Sequence, residues 1–463
     1  MSVPNTHFGA RAIGEMLEHC ESIYFIGIGG INMSSLADIS LRRGFRVGGS
    51  DRAPSALTEK LVSHGILVNY SHERENIDGY DAVVYTVAIA PDNPEYVTAL
   101  ERGIPCISRA DFLGYVMTGY ERRVGVSGMH GKSTCTSMCA ETFIDAGVSP
   151  TVLSGAELDT MDGAYTVGEG GDFIFEACEY MDSFLDFNPT VAVILNVEMD
   201  HVDYFHSIEQ IRSSFAKYAS ITGEDGYAVA NIDDENVCLS LSDYTGTLVS
   251  FGIESDSPTF RAVNISCARG RYSFDVLKLG EYFCHVDLSV TGYHNIYNAL
   301  ACAAAADLCG LSPEDISRGL AKFRGAKRRM EYRATLDGAD IYEDYGHHPT
   351  EISMTLAGAK GLAEGRLICV YQPHTYSRTK ALFDDFSRAF DAADRVLLCD
   401  IYAAREIDDG TVSSSLLSEA IGERATYCGD IESTARALRK ELREGDLTIV
   451  MGAGDIYKVF DVL

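Results

Sequence analysis

Residues 125–134 read Gly-Val-Ser-Gly128-Met-His130-Gly131-Lys132-Ser133-Thr134, a glycine loop that follows an apolar run and opens a helix-forming stretch. Backbone N–H groups of such a loop cradle phosphates, the Lys132 ammonium offsets charge at the β and γ positions of a triphosphate, and Ser133 supplies an oxygen to Mg²⁺. A strict phosphate loop has glycine at position 126, where Val126 stands, so this loop is a variant; the bland alternative is a surface Gly-Lys pair. Two acidic clusters come next: Phe175-Glu176-Ala-Cys-Glu179-Tyr180 and Asn196-Val-Glu198-Met-Asp200-His201. Each follows a predicted strand, at 173–176 and 190–195, which is where open α/β sheets place their ligands. Taken singly these acids are caps or solvated loop residues, but beside Lys132 and Ser133 they suit a Mg²⁺ pair that bridges phosphates and acceptor.

An earlier turn, Gly27-Ile-Gly29-Gly30-Ile-Asn32-Met33, resembles a dinucleotide fingerprint in which backbone N–H groups approach a diphosphate. The third glycine of that pattern falls on Asn32, so a tight turn with no ligand stays open as the alternative. Asp51 ends the second predicted strand, fitting either a ribose-binding carboxylate or a helix cap or loop acid. Near the C-terminus, Glu343-Asp344-Tyr-Gly-His347-His348-Pro349 and Gln372-Pro-His374-Thr-Tyr-Ser-Arg378 also follow strands, forming a second wall for a phosphate-bearing anion.

The elements that must hold these residues read as three consecutive α/β units. Strands at 23–28, 45–48 and 82–85 alternate with helices at 32–43, 55–64 and 94–102, a βαβ pattern with a parallel sheet. A second unit starts at 123–126, includes 190–195, and turns to antiparallel alternation at Tyr272–Val276 and Phe283–Val286 before helices at 294–309 and 313–321. A third has strands at 367–370, 395–398 and 447–450. The domains expected are therefore 1–119, 120–327 and 328–463, which agrees with 463 residues at about 150 per domain.

Composition narrows the function classes. With 38 Lys plus Arg against 68 Asp plus Glu, the net charge is −30, so nucleic acid and anionic membrane are poor partners and an anionic substrate depends on a few local cations. A hydrophobic fraction of 46% with 23% charged residues is ordinary globular composition. No long apolar run or secretory signal occurs, and the 13 Cys show no C-x-x-C pair, which points to a soluble cytoplasmic protein with buried thiols.

Together these residues resemble the Mur ligases of peptidoglycan precursor synthesis. The resemblance lies in GIGGINMSSLA, SGMHGKST, EACEY with SFL, NVEMDHVDYF, GYHNIYNALA, FRGAKRRME, EDYGHHPTE, YQPHTYSRT and GAGDIYK, in family order from residue 27 to 458. It implies a Rossmann-like N-terminal domain for a UDP-sugar, a central ATPase domain, and a Rossmann-like C-terminal domain for an amino acid. In the branch it is most similar to, ATP phosphorylates the lactyl carboxylate of UDP-N-acetylmuramate, and the amine of L-alanine attacks the acyl phosphate. ADP and phosphate are released.

Carried over by position, the resemblance implies that Lys132 meets the β and γ phosphates within the loop of Gly128, Gly131, Ser133 and Thr134. Ser133 and Glu176 would hold a first Mg²⁺, with Mn²⁺ as a substitute, and His201 a second; His130 would face the reacting carboxylate. Asn295 would read adenine, Arg329 would touch ATP phosphate, Asp344 would bond the ribose, and His347 with Arg378 would line the alanine side. Gly29, Gly30, Asn32 and Met33 would surround the UDP diphosphate. The expected state is a monomer or weak homodimer.

Some relatives carry a carbamylated lysine where Phe215 stands, and Lys217 would face elsewhere on the same helix. Thr375 replaces a frequent Arg, and Cys178 and Gly346 a frequent Asp and Ala. Three rivals differ in what they leave unexplained. A peptide-recycling ligase of the same family shares most motifs. A nicotinamide oxidoreductase leaves the Gly-Lys-Ser loop without a purpose, and a non-catalytic nucleotide-binding subunit would have no need of Ser133, Glu176 and His201 together.

Overall fold

Near-continuous apolar runs such as Ser22-Ile-Tyr-Phe-Ile26 and Val191-Ala-Val-Ile194 make strands buried on both faces, the condition under which parallel sheets form. In the computed structural model, which describes every residue except 1, 2, 162, 202, 203 and 405, these runs seed three sheets. Residues 202 and 203 of the NVEMDHVDYF motif therefore lie outside the described residues.

The N-terminal sheet contains β1 (Ser22–Ile26), β2 (Arg46–Ser50), β3 (Leu67–Asn69), β4 (Ala82–Tyr85) and β5 (Cys106–Ser108), all parallel in the order β3-β2-β1-β4-β5. The order reverses between β1 and β4, and the glycine turn leaves β1 at that switch point. Gly27 has φ 83°, a left-handed conformation that favours glycine, and its N–H and that of Ile28 donate to Ser50 O. Met33 is buried under the sheet, so it brings only backbone to the turn.

The central sheet has ten strands: β6 (Arg122–Ser127), β7 (Thr151–Leu158), β8 (Gly163–Thr166), β9 (Asp172–Glu176), β10 (Val191–Ile194), β11 (Tyr227–Asn231), β12 (Thr247–Gly252), β13 (Phe260–Ala268), β14 (Arg271–Lys278) and β15 (Glu281–Thr291). Their order is β15-β14-β13-β12-β11-β10-β6-β9-β7-β8. β6 lies between β10 and β9, with Ile194 beside Ser127 and Glu176 beside Val126. The phosphate loop thus leaves β6 at a second switch point, and the two acidic clusters leave the strands on either side. The alternating stretch after residue 260 forms the antiparallel ribbon β13-β14-β15, closed by the alanine-rich helix His294–Leu308.

The C-terminal sheet runs β16-β17-β21-β18-β19-β20, from β16 (Glu331–Leu336), β17 (Ala339–Asp344), β18 (Leu367–Tyr371), β19 (Arg395–Cys399), β20 (Ala425–Gly429) and β21 (Leu447–Met451). Only β16 is antiparallel. His347 follows β17 and His374 follows β18, flanking the end of β21. One apolar core runs from Phe25 through Phe112 to Phe184 and Phe215, tying the first sheet to the second. Each such fully buried Phe or Ile contributes about 1.5–3 kcal/mol.

Candidate active site

The helix Lys132–Asp145 begins at Gly131, whose φ of 82° turns the chain from β6 into the first helical residue. Lys132 curls back over its own loop: Nζ donates to Gly128 O at 2.5 Å and Met129 O at 3.1 Å, and lies 3.0 Å from Glu179 Oε2. Glu179 is fully buried and also holds His201, with Nε2 3.0 Å from its Oε1. Burial opposes both charges in the ion pair, yet attraction wins: Glu179 is held below the usual carboxylate range by Lys132 and His201, and Lys132 is raised by Glu179, Cys178 and Glu176. Glu179 sits three residues from Glu176, and spacing alone does not say which acid turns toward the lysine.

Glu176 accepts Gly155 N–H through Oε2 at 2.9 Å. It leaves β9 beside β6, the strand that feeds the loop carrying the Ser133 hydroxyl. Hard oxygen donors suit Mg²⁺, and these residues fit that ion. The fit of His201 to a second ion is looser, because its Nε2 is engaged by Glu179.

His130 is nearly buried, between carboxylates from two sheets: Nε2 is 2.9 Å from Glu198 Oε2, and Nδ1 is 3.4 Å from Glu351 Oε1. Burial lowers its pKa, but the bonds to Glu198 and Glu351 outweigh that and raise it to about 9, so His130 is a cation at neutral pH. Thr350 Oγ1 donates to both oxygens of Glu198, at 2.7 and 2.9 Å. Glu351 also accepts the N–H groups of His347 and His348 at the start of the helix Pro349–Lys360, completing a capping box. The contact of Glu351 with His130 depends on a partner from another sheet, which no local spacing signals.

Further bonds join the central and C-terminal sheets. Arg329 Nη2 donates to Ser133 Oγ at 3.3 Å, and Arg378 donates twice to Asp200 Oδ1 at 3.2 Å. Asp200 is pulled below the usual range because Arg378 and His201 outweigh its burial. His347 is lowered to about 4 by burial and is neutral, with Nδ1 3.2 Å from Tyr345 O. A cavity of about 840 Å³ connects Gly131, Thr134, Asn295, Arg329 and Asp344. Asn295 spends part of its amide on Thr291 O and Asn298 Nδ2. Asp344, raised to about 6 by burial, accepts the N–H groups of Met330 and Gly346.

The glycine turn stands apart. Asp51 Oδ2 accepts Gly29 N–H at 2.8 Å and Oδ1 accepts Arg52 N–H, while the cap of the following helix is Ser55. Of the departures, Phe215 is core, packed edge-on against Phe184, and Lys217 is exposed. A Cβ at Gly346 would lie 2.9 Å from Asp344 Oδ1 and 3.1 Å from Met451 Sδ. Thr375 has φ 67°, a strained value for a β-branched residue. The thiol of Cys178 is pushed up to about 11, chiefly by burial.

Sequence profiles place this geometry among known proteins. The profile described as Mur ligase family, catalytic domain matches residues 22–121, Mur ligase middle domain matches 126–306, and Mur ligase, glutamate ligase domain matches 328–454. The UDP-N-acetylmuramate–L-alanine ligase of Clostridium acetobutylicum is 44% identical, over 95% of this chain and 96% of its own. The chain belongs to the Mur ligase family. The Mur ligase of the same name from Caldanaerobacter subterraneus is 45% identical over 96% of this chain and 97% of its own. The crystal structure of the UDP-N-acetylmuramate-alanine ligase from Thermotoga maritima superimposes with a TM-score of 0.78 at 28% identity, covering 95% of this chain and 98% of that one. A murein peptide ligase from Psychrobacter arcticus, at 23% identity and a TM-score of 0.71 over 95% of this chain and 97% of that one, shares the Mur ligase fold.

Proposed function

We propose that this Mur ligase joins L-alanine to the lactyl carboxylate of UDP-N-acetylmuramate, using ATP and releasing ADP and phosphate, in the building of peptidoglycan precursors. The observation that carries the reading is the meeting of the phosphate-loop residues Ser133 and His130 with Arg329 and Glu351 from the C-terminal unit, with Lys132 paired to Glu179 in the same loop and Arg378 reaching Asp200 after β10. Relatives of the alanine ligase name, 41–45% identical over nearly the whole chain, support alanine as the acceptor. Residues 1–119 would bind the UDP-sugar, 120–327 ATP, and 328–463 the amino acid.

A free carboxylate is a poor electrophile, so it first attacks the γ-phosphorus; the bond to the β-bridging oxygen breaks and ADP departs. The alanine nitrogen then attacks the acyl carbon, and the tetrahedral intermediate expels phosphate. Lys132 exchanges Glu179 for the β and γ phosphates, and the His130 cation stands where the two anions approach each other. Arg378 exchanges Asp200 for the amino-acid carboxylate, beside neutral His347. Asn295, Arg329 and Asp344 line the nucleotide cavity, and Gly29, Gly30 and Asn32 offer backbone to the UDP diphosphate, with Asp51 steadying the turn. Mg²⁺, held by Ser133 and Glu176 with His201 as a further ligand, would supply charge neutralisation on the triphosphate.

Among the described residues no helix is long and apolar enough to cross a membrane, and the proposed setting is a cytoplasmic monomer or weak homodimer. The test is phosphate release by purified protein with ATP, Mg²⁺ and UDP-N-acetylmuramate, with and without L-alanine. Alanine-dependent release is expected; release with murein tripeptide but not alanine would assign the recycling reaction instead.

A further inference from the structure

We propose that His130, Glu198 and His348 form a site for one borderline-soft divalent cation of the Zn²⁺ type, distinct from the Mg²⁺ position at Ser133 and Glu176, and that its occupation clamps the phosphate loop to the C-terminal sheet. One ligand atom from each of the three lies within 4.8 Å of the others. Two imidazoles and one carboxylate match the donor set of three-ligand zinc sites, whereas Mg²⁺ takes oxygen.

A second observation points to a ligand. His348 Nε2 is a buried polar atom without a hydrogen-bond partner, on a residue only 3% exposed. Such atoms are uncommon in folded proteins and call for a reason. The His348 and His130 rings lie 4.6 Å apart, so this orphan nitrogen belongs to the same cluster as His130 and Glu198.

The surroundings are those that support a metal. Glu351 Oε1 lies 3.4 Å behind His130 Nδ1, so a cation at Nε2 would complete a carboxylate–histidine–metal arrangement with the ring orientation fixed. Glu198 is oriented by the hydroxyl of Thr350. His348 caps the helix Pro349–Lys360 by accepting Thr350 N–H at Nδ1 over 3.3 Å; ligation through Nε2 moves the ring proton to Nδ1 and gives up that long bond. Tetrahedral zinc, with bonds of about 2.0–2.2 Å to these donors, needs ligand atoms roughly 3.3 Å apart. His130 Nε2 and Glu198 Oε2 are already 2.9 Å apart, so the site closes by side-chain adjustment. The proton on His130 leaves to solvent as the metal bond forms, and the carboxylates of Glu198 and Glu351 balance the two positive charges. His130 and Glu198 come from the central unit and His348 from the C-terminal one, two residues before Thr350, so a bound ion bridges them.

The consequence for turnover, inhibition through a clamped loop two residues before Lys132, rests on the proposed ligase reading; the binding itself does not. The test titrates the full chain with Zn²⁺ against a chromophoric chelator in excess Mg²⁺, for the parent and for His348→Asn, which keeps a good capping oxygen and removes the imidazole. One Zn²⁺ per parent chain is expected, bound about 10–100-fold more weakly by His348→Asn. Glu198→Gln should weaken it likewise and serves if the first variant fails to fold. In ATP turnover, inhibition should follow the same Zn²⁺ curve and resist added Mg²⁺. Equal Zn²⁺ binding by parent and variants would put the ion elsewhere, for example on the exposed thiols of Cys238 and Cys267, and overturn the proposal. Reversal of inhibition by Mg²⁺ would overturn it as well. Absence of any turnover in the parent would sink the ligase reading while leaving the binding result to decide the site.

Discussion

Lys132 and Glu179 form an ion pair of 3.0 Å in which the carboxylate is wholly buried and the ammonium nearly so. On the proposed function, a triphosphate takes over the electrostatic role of this carboxylate. Lys132→Ala should therefore lower ligation by about 10²-fold or more, the usual effect of removing one charge-stabilising group. Affinity for UDP-N-acetylmuramate, measured by calorimetry, should stay close to the parent value, because the glycine turn makes no hydrogen bond or ion pair with Lys132 among the described residues. Near-normal turnover in the variant would remove Lys132 from the phosphate site.

Metal dependence is the second expectation. Without Mg²⁺ or Mn²⁺ turnover should vanish, and His201→Ala should require more metal than the parent, since Ser133 and Glu176 survive while one ligand is lost. Lys132 remains as the counter-ion of Glu179 in that variant, so the buried carboxylate does not lose its only partner. A metal titration identical to the parent's would exclude His201 as a ligand.

The third expectation concerns pH. His130 is raised from an ordinary value near 6.5 to about 9, so the folded state binds its proton more tightly than the unfolded one. Its contribution to stability is complete below about pH 6.5 and fades as pH climbs through the folded value. His130→Gln should therefore melt well below the parent at about pH 6 and much closer to it at about pH 10. A melting difference independent of pH would show that His130 is held neutral.

Much of this site is legible in local sequence because local physics writes it. The glycines at 128 and 131 take φ of 140° and 82°, and the apolar runs at 191–194 and 447–451 are buried strands, so spacing and periodicity reveal both. The pairs His130 with Glu351, Glu198 with Thr350, and Asp200 with Arg378 are not legible, since each joins residues more than 150 positions apart. The tilt of one sheet against another decides them. Glu351 shows the difficulty most clearly: its place three residues after His348 is fully accounted for by helix capping, and nothing local signals its second partner.

The last expectation is a closure. Arg329 already ties the C-terminal unit to the phosphate loop at Ser133, and Arg378 ties it to Asp200 after β10, while Gly29, Gly30 and Asn32 make no hydrogen bond or ion pair with Lys132 or Ser133 among the described residues. On the proposed function, the carboxylate of a UDP-sugar held at the glycine turn must still reach the γ-phosphate, and water must be kept from the acyl phosphate. Arg328 and Met330, at φ 58° and 50°, hold left-handed strain beside residue 327, and the chain crosses between sheets again near 119, so hinges are expected at those two places. Small-angle scattering of the protein alone, with ATP, and with ATP plus UDP-N-acetylmuramate should give the smallest radius of gyration in the last state. Equal radii in all three, with binding of both ligands demonstrated, would mean that the site is assembled before the substrates arrive and that closure is not the step that brings the reacting atoms together.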